Sequence, residues 1–150
     1  MRALLQRVLE ASVTVDGARV GEIGQGLLVF LGVGKGDGDA QVTWMSEKIS
    51  VLRVFKDDAD KMNRSVLDTS RSVLLVSQFT LYADTRQGRR PSFTAAAEPA
   101  EAMRLYELCA ERLRRLGLTV STGVFAADMK VALVNDGPVT LWLDSEQPPV

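Results

Sequence analysis

Two apolar segments constrain the fold of this chain more than any other feature. Residues 26–33 read GLLVFLGV and are continuously apolar, and residues 72–83 read SVLLVSQFTLYA. Both have the length of strands, and an unbroken apolar run such as the first is typical of a strand that is buried on both faces. The sequence therefore predicts two long strands that must be covered by the rest of the chain.

The pattern around these segments predicts more strands and two helices. Asp16-Gly17 is a strong hairpin signal between strands at residues 11–15 and 18–23. Helical spacing predicts a helix from Asp39, capped by Asp37 or Asp39, and a second from Pro99 to a stop at Gly117. Three final strands are predicted at residues 118–123, 128–135 and 138–144. Because strands come in groups with two helices between them, we expect an α+β fold whose largely antiparallel β-sheets form a barrel-like core with two main flanking helices.

The length of 150 residues favours a single domain over residues 1–150, with a polar, proline-rich segment from about residue 144 as a flexible tail. Apolar runs are shorter than the roughly 20 residues of a membrane span, so no membrane partner is expected. The N-terminal segment has no small-residue cleavage site, and the chain is therefore expected in the cytoplasm.

The amino acid inventory excludes several kinds of chemistry. The chain has no histidine and one cysteine, so a Ser-His-Asp triad, a Cys-His pair and an imidazole metal site are impossible. The net charge of -1 argues against a protein held to nucleic acid by a large basic surface. No cofactor or metal is indicated, because Asp57, Asp58 and Asp60 lack the glycine and distal glutamate of a calcium loop.

Two other features favour structural explanations. Residues 34–39 read GKGDGD but lack the Gly-Lys-Ser/Thr ending of a phosphate loop, so phosphate binding by such a loop is disfavoured there. Cys109 falls on the apolar stripe of the second helix, where a buried thiol is expected rather than a nucleophile.

Two polar clusters leave alternatives open. Ser77, Gln78 and Thr80 interrupt an apolar strand, so they are either satisfied strand residues or part of a site lined by hydroxyls and backbone groups. Thr80 is a nucleophile by type, but no adjacent base is evident. The three arginines of the following loop form either a solubilising surface or a rim that faces phosphate: Arg86, Arg89 and Arg90.

A third feature is the segment NDGPVT at residues 135–140, which lies between apolar, strand-like residues. Proline in a strand is confined to edges, strand starts and bulges, so Gly137-Pro138 is predicted to form a tight turn or a bulge. Cis bonds are uncommon even before proline, and the dipeptide alone leaves the isomer open.

Four segments together carry a family resemblance. They are residues 77–93 (SQFTLYADTRQGRRPSF), residues 122–140 (TGVFAADMKVALVNDGPVT), residues 36–55 (GDGDAQVTWMSEKISVLRVF), and the N-terminal strands up to residue 33. From Met1 to about Leu143 the chain closely resembles the D-aminoacyl-tRNA deacylases, the D-Tyr-tRNA deacylase family. The SQFTL and NDGPVT motifs are its specific signatures.

The resemblance implies an activity and an assembly. Members hydrolyse the ester that links a D-amino acid to the 3′ end of tRNA, also accept glycine, such as glycine mischarged on tRNA-Ala, and spare L-aminoacyl-tRNA. They are homodimers with the active site at the subunit interface. The bond matching Gly137-Pro138 is cis in the family and reaches into the partner's pocket, where it provides chiral selection. By the same resemblance, Met129 lies near the adenosine, and the catalytic pocket is lined by Ser77, Gln78, Phe79 and Thr80.

The chemistry implied by the resemblance is consistent with a chain that lacks histidine. An aminoacyl ester is already activated, so positioning of the ester and of a water or ribose hydroxyl supplies much of the catalysis. Backbone N–H groups near Phe79 and Thr80 are candidate oxyanion donors. We therefore favour substrate-assisted or water-mediated hydrolysis over a covalent Thr80 intermediate. The tRNA would need only a small basic rim, for which Arg86, Arg89 and Arg90 are the candidates.

Overall fold

The computed structural model describes residues 1–146 and contains eight strands and two α-helices. The strands are β1 (Arg2–Val15), β2 (Ala18–Ile23), β3 (Gly26–Gly32), β4 (Phe55–Lys56), β5 (Met62–Arg64), β6 (Ser72–Ser77), β7 (Thr119–Thr122) and β8 (Lys130–Asp144). The helices are α1 (Asp39–Val51) and α2 (Pro99–Arg115), with a short 3-10 helix at Phe79–Tyr82. Over residues 1–146, none of the helices has the length and apolar character needed to cross a membrane.

The main sheet is organised around β1. One side of β1 pairs with β3 and then with β2, and its other side pairs with β8 along almost its whole length, all antiparallel. The sheet continues through β6 and β7, which are parallel to β3. It curls until Ser121 of β7 donates a hydrogen bond to the backbone oxygen of Glu22 in β2, at 3.1 Å. The predicted α+β fold with a barrel-like core and two flanking helices is confirmed, and the two parallel pairings are an addition to it.

Strands β3 and β6 are buried on both faces. Leu28 and Leu74 point into the barrel, whereas Leu27 and Leu75 belong to the larger core that lies under the helices. Successive side chains of a strand face opposite sides, so a strand between two cores must be apolar throughout. This arrangement explains the unbroken apolar runs and confirms that residues 26–32 form a strand covered on both sides.

The hairpin and both helices form where the sequence predicts them. Asp16 and Gly17 have φ angles of 49° and 79°, the left-handed conformations that a two-residue hairpin of type I′ requires. Pro99 is the first residue of α2, and Gly117, with a φ of 99°, follows its end. Helix α1 begins at Asp39 as expected.

The predicted cap of α1 is wrong in its detail. Gly38 is the N-cap residue, and its N–H donates to the Gln41 side chain at 2.9 Å. Asp37 is used elsewhere: its carboxylate accepts hydrogen bonds from the Gly34 N–H and from the N-terminal ammonium of Met1, each at 2.7 Å. Leaving the buried ammonium without a counter-charge would cost more free energy than leaving the first N–H groups of α1 without a carboxylate cap.

The second long apolar segment is shorter as a strand than expected. β6 ends at Ser77, and residues 79–82, predicted as strand, form a 3-10 helix instead. The neighbouring strand explains this, because Leu31 pairs with Ser77 and β3 ends at Gly32. Beyond that point no ladder of hydrogen bonds is left for the chain to continue.

The two strands predicted at residues 128–135 and 138–144 are one strand, β8, interrupted by a bulge. Val8 pairs with Asn135 and Gln6 with Thr140, so residues 136–139 lie opposite Arg7 alone. The Asn135 side-chain amide closes the base of this bulge by donating to the backbone oxygens of Arg7 at 2.9 Å and of Val139 at 3.1 Å. Of the two forms predicted for Gly137-Pro138, the structure has the bulge.

The end of the described chain lies against its beginning. The Ser145 N–H donates to the backbone oxygen of Met1 at 2.9 Å, and the Ser145 hydroxyl accepts from the Met1 ammonium at 2.6 Å. Residues 147–150, over which most of the predicted flexible tail runs, lie outside the described residues.

Candidate active site

A cavity of about 780 Å³ opens where the parallel strands end. Because β3, β6 and β7 run in the same direction, the segments that follow them meet at one edge of the sheet. The cavity is lined by residues 76–79 and 125–129 together with Leu31, Val33, Lys35 and Val131, and the segment leading into α2 completes the wall. The sequence predicts largely antiparallel sheets, whereas the parallel pairing of β3, β6 and β7 brings the residues of this site together.

Three of the four predicted catalytic residues line the cavity: Ser77, Gln78 and Phe79. Gln78 is held by its backbone N–H, which donates to the backbone oxygen of Leu31 at 2.8 Å. Thr80 follows in the 3-10 helix and is exposed, and its hydroxyl accepts a hydrogen bond from the Gln78 side-chain amide. That amide is a donor, so it cannot act as a base toward Thr80.

The opening of the 3-10 helix places two backbone donors beside these side chains. The N–H groups of the first residues of a helix have no acceptor within it. Phe79 and Thr80 open this helix, whose internal bonds begin with the Leu81 N–H donating to the Gln78 backbone oxygen at 3.3 Å. The Phe79 and Thr80 N–H groups are therefore candidate hydrogen-bond donors to a negatively charged oxygen of a ligand.

Aromatic rings form part of the wall. Phe79, which is 54% exposed, meets the ring of Phe93 edge-on with centroids 5.0 Å apart. The ring centroid of Phe125, another wall residue, lies 5.9 Å from that of Tyr106. The buried Tyr106 hydroxyl donates to the backbone oxygen of Leu75 at 2.7 Å. Burial raises the pKa of Tyr106 to about 12, so this phenol stays neutral and serves as a donor.

Met129, for which the resemblance implies a place near the adenosine, lines the cavity at the end of a loop whose backbone is unusual. Ala126 has a φ of 63°, a left-handed conformation that is uncommon for residues other than glycine. Gly123 makes room for Met129, because a Cβ at that position would lie 2.6 Å from the Met129 sulfur. The glycine thereby sets where the methionine side chain rests.

Gly137 and Pro138 do not line this cavity. They are exposed, their peptide bond is cis, and they border a second cavity of about 370 Å³ together with Arg7. The Arg7 guanidinium is buried and donates to the backbone oxygens of Val54 at 2.6 Å and Asp136 at 3.2 Å. Within one chain, Gly137 and Pro138 therefore lie at a different cavity from Ser77, Gln78 and Phe79.

The three predicted tRNA-binding arginines lie on an exposed loop that is closed by backbone bonds between Asp84 and Ser92, at 2.7 and 2.9 Å. Arg86 is already engaged by Asp84 through two contacts, at 2.9 and 2.6 Å. These hydrogen bonds hold the pKa of the Asp84 carboxyl well below its usual range. Arg89 and Arg90 are exposed, and none of the three arginines lines the cavity.

Sequence reasoning missed several residues of the wall. Phe93 and Phe125 lie in segments that carry the family resemblance, but the sequence predicts no role for either. Lys35 lies in the GKGDGD loop, for which the sequence disfavours phosphate binding. Tertiary pairing alone brings them to one place, and no local spacing indicated it. Cys109 is buried as expected, and burial raises its pKa to about 12, so the thiol is unreactive. Residues 1–146 contain no cluster of three or more metal-ligating side chains.

The comparisons with known proteins agree with one another. Residues 4–144 match the model of the family described as D-Tyr-tRNA(Tyr) deacylase. The chain is 66% identical over 148 residues to a D-aminoacyl-tRNA deacylase of Myxococcus xanthus, covering 99% of this chain and 97% of that protein. It is 62% identical to a D-aminoacyl-tRNA deacylase of Thermomicrobium roseum, covering 98% of this chain and 96% of that protein.

Solved structures share the fold. A c-Myc DNA unwinding element binding protein superposes with a TM-score of 0.92 at 40% identity, covering 98% of this chain and 100% of that one. A probable eukaryotic D-amino acid tRNA deacylase superposes with a TM-score of 0.78 at 15% identity, covering 95% of this chain and 97% of that one, which speaks for the fold alone. With a family match over nearly all of its length and relatives above 60% identity, the chain belongs to the D-Tyr-tRNA(Tyr) deacylase family.

Proposed function

We propose that this hydrolase cleaves the ester of D-aminoacyl-tRNA in the cavity at the carboxyl ends of the parallel strands, releasing a free D-amino acid and tRNA. The observation that carries the proposal is the convergence of Ser77, Gln78 and Phe79 on one cavity, in a chain whose family acts on this class of ester. We expect the enzyme to act in the cytoplasm, where aminoacyl-tRNA is used.

The mechanism we propose relies on positioning and on backbone donors. With the ester beside Phe79, the N–H groups of Phe79 and Thr80 would stabilise the oxyanion that forms as the carbonyl carbon becomes tetrahedral. The attacking oxygen would be a water or the neighbouring ribose hydroxyl, since the Thr80 hydroxyl contacts the Gln78 side-chain amide, which is a donor and not a base. Thr80 then orients groups in the site and forms no covalent intermediate.

Chiral selection requires a second copy of the chain. Gly137 and Pro138 are exposed and border a different cavity from Ser77 in their own subunit. We propose that the enzyme is a homodimer in which this bulge enters the partner's catalytic cavity. Its backbone carbonyls would form a rigid wall at one substituent of the substrate α-carbon, so an L side chain is excluded by a clash. Glycine has no side chain to clash and would pass, so glycyl-tRNA, including tRNA-Ala mischarged with glycine, would be accepted.

The loop that carries Arg89 and Arg90 would bind the phosphates of the acceptor end. Arginine suits this role because its planar guanidinium matches phosphate geometry. Arg86 would contribute less than the other two, because Asp84 already holds its guanidinium. The small size of this basic patch agrees with a net charge of -1.

The primary test compares deacylation of D-Tyr-tRNA and L-Tyr-tRNA by the purified protein. We expect rapid release of the D form and little release of the L form. Equal rates on both forms, or no hydrolysis of the D form, would contradict the proposal. RNA binding that is sensitive to salt but occurs without hydrolysis would instead indicate a binding module.

Two further experiments test the mechanism and the assembly. Thr80→Ala should keep measurable turnover, with Thr43→Ala, at a half-buried position of α1 away from the cavity, as the matched control. Complete loss of turnover in Thr80→Ala alone would indicate a nucleophile. For the assembly, a chain with Gly137→Ala and a chain with Phe79→Ala are mixed and allowed to exchange subunits. One site of a mixed dimer has both residues intact, so the ratio of D-Tyr-tRNA to L-Tyr-tRNA deacylation should rise above that of Gly137→Ala alone, and an unchanged ratio would contradict a shared site.

A further inference from the structure

Lys35 continues a row of side chains that forms one wall of the catalytic cavity. Leu31, Val33 and Lys35 alternate along the chain and all three line the cavity. Side chains at every second position of an extended segment face the same side. The row therefore begins at the floor beside Ser77, which pairs with Leu31, and ends at Lys35 on the exposed rim.

The backbone at Lys35 is held in place. The Lys35 N–H donates to the backbone oxygen of Ala95 at 2.9 Å, and the Ala97 N–H donates to that of Val33 at 3.0 Å. These bonds join the segment after β3 to the segment before α2, as a short ladder beyond the end of the main sheet. The flexible lysine stem thus leaves from a fixed point at the rim.

Within the part of the chain that the structure describes, Lys35 is the one cationic residue that lines the cavity, where Glu98 and Asp128 are anionic. Asp128 is partly neutralised by the Lys130 ammonium at 2.9 Å. Among residues 1–146, no salt bridge joins the Lys35 ammonium to a carboxylate within 4.0 Å. A cation at the mouth of a mostly apolar cavity, without a partner, is placed to meet an anion of the ligand.

The span of the wall fits the substrate of the proposed function, on which this inference rests. Lys35 is four positions beyond Leu31, roughly 13 Å along an extended chain. The lysine stem can cover part of that span toward an ester bound near Ser77. In an aminoacyl-tRNA the first anion beyond the ester is the phosphate on the 5′ side of the terminal ribose, separated from the ester by that ribose alone.

We propose that Lys35 binds the phosphodiester on the 5′ side of the terminal nucleotide and so positions the ester in the catalytic cavity. The GKGDGD loop then contacts phosphate through a single side chain and not through a cradle of backbone N–H groups. Such a contact does not need the ending of a phosphate loop, which this segment lacks. Lys35 is a positioning residue and takes no part in bond breaking.

The test measures binding, so that it does not depend on turnover. The probes are amide analogues in which nitrogen replaces the ester oxygen of 3′-D-tyrosyl-adenosine, one without phosphate and one with a 5′-methylphosphate. Wild-type protein should bind the phosphate form about two- to fivefold more tightly, as expected for one exposed ion pair. Lys35→Ala should abolish this preference and leave affinity for the phosphate-free probe unchanged, and Lys35→Glu should reverse it.

The matched control is Lys48→Ala, which makes the same charge change on an exposed face of α1 away from the cavity. It should keep the phosphate preference. With D-Tyr-tRNA as substrate, Lys35→Ala should raise KM with little change in kcat, and the logarithmic salt slope should fall by about 0.7 for one lost phosphate contact.

The outcomes separate this proposal from the proposed function. Equal loss of affinity for both probes in Lys35→Ala, or an unchanged phosphate preference, overturns the role of Lys35 even if the enzyme is active. A preference that depends on Lys35 in a protein that fails to hydrolyse D-Tyr-tRNA supports the phosphate contact and rejects the activity.

Discussion

Replacing Arg7 tests how the bulge of β8 is held and what it does. The Arg7 guanidinium donates to the backbone oxygens of Val54 at 2.6 Å and Asp136 at 3.2 Å. It also lies against the α-carbon of Gly137, where an added Cβ would be 2.8 Å from Arg7 Nη2. Arg7→Met keeps most of the aliphatic stem and removes the guanidinium, so the bulge loses the hydrogen bond to Asp136 and the contact beside Gly137.

The expected cost can be estimated from these contacts. A hydrogen bond from a charged donor contributes about 1.5–3 kcal/mol, which applies best to the short, buried bond with Val54. The bond to the Asp136 backbone is longer, and the ion pair with its carboxylate, which is 42% exposed, adds at most about 1 kcal/mol. We expect a loss of about 3 kcal/mol in unfolding free energy, or about 6–12 °C in Tm for a chain of this size.

The functional effect should exceed the effect of instability. If the bulge excludes L substrates, its loosening should lower the ratio of D-Tyr-tRNA to L-Tyr-tRNA deacylation rates by about tenfold for every 1.4 kcal/mol of lost discrimination. The assay is thermal unfolding by circular dichroism, followed by both deacylation rates at a temperature where the variant is fully folded.

Arg2→Met is the matched control, because Arg2 lies on the same strand and bonds to Asp144 at 3.2 Å, away from the bulge. It should lower the Tm and leave the ratio of rates unchanged. The reasoning is refuted if Arg7→Met keeps the wild-type ratio while folded, or if Arg2→Met lowers the ratio as much.

Three other predictions follow from buried contacts. Tyr106→Phe removes a hydroxyl that donates to the Leu75 backbone oxygen at 2.7 Å, and it should lower the unfolding free energy measured in urea by about 1 kcal/mol. Tyr82→Phe should lower it less, because the Tyr82 hydroxyl is 3.4 Å from Asp37. The reverse order would contradict the assignment of these bonds. Gly123→Ala should displace the flexible Met129 side chain and raise KM for D-Tyr-tRNA with a Tm within about 2 °C of wild type, so an unchanged KM would argue against Met129 as part of the substrate site. Burial raises the pKa of Cys109 from 9.0 to about 12, so the contribution of this thiol to stability is complete below pH 9 and is lost as the pH rises toward 12. Cys109→Ala should be less stable than wild type at pH 8, but its unfolding free energy should fall less between pH 8 and 10.5. Parallel curves of unfolding free energy against pH would show that the thiol does not cause the pH dependence.

Much of the fold follows from local pattern. The Asp16-Gly17 hairpin, both helices and the strand covered on two faces were predictable because each depends on turn chemistry or on the spacing of apolar residues. The end of β6 at Ser77 was not, because it depends on where the neighbouring strand stops. The parallel pairings were missed for the same reason, since register between distant segments leaves no signal in either segment alone.

The site divides along the same line. The SQFTL motif and Met129 could be named from family resemblance, and the structure brings Ser77, Gln78, Phe79 and Met129 to one cavity. Phe93, Phe125 and Lys35 join them only through tertiary pairing. Gly137 and Pro138 could be named as well, and the proline in a strand predicted either a turn or a bulge. The choice between the two depends on a register shift against β1, which periodicity within β8 cannot show.

The pairing of the first and last strands has a consequence for how the chain is made. Arg2 pairs with Asp144, so the longest ladder of the sheet joins positions 142 residues apart. Such a high contact order predicts slow folding, since the entropy of closing a long loop is lost before the pairing is gained. During synthesis β1 emerges before β8, and one of its sides stays uncovered until β8 pairs with it, so the bulge with Gly137 and Pro138 joins the barrel after strands β1 to β7 have been made. A nascent chain of this kind exposes an unpaired strand edge until β8 has been synthesised, and we expect it to depend on protection from aggregation more than the stability of the finished barrel would indicate.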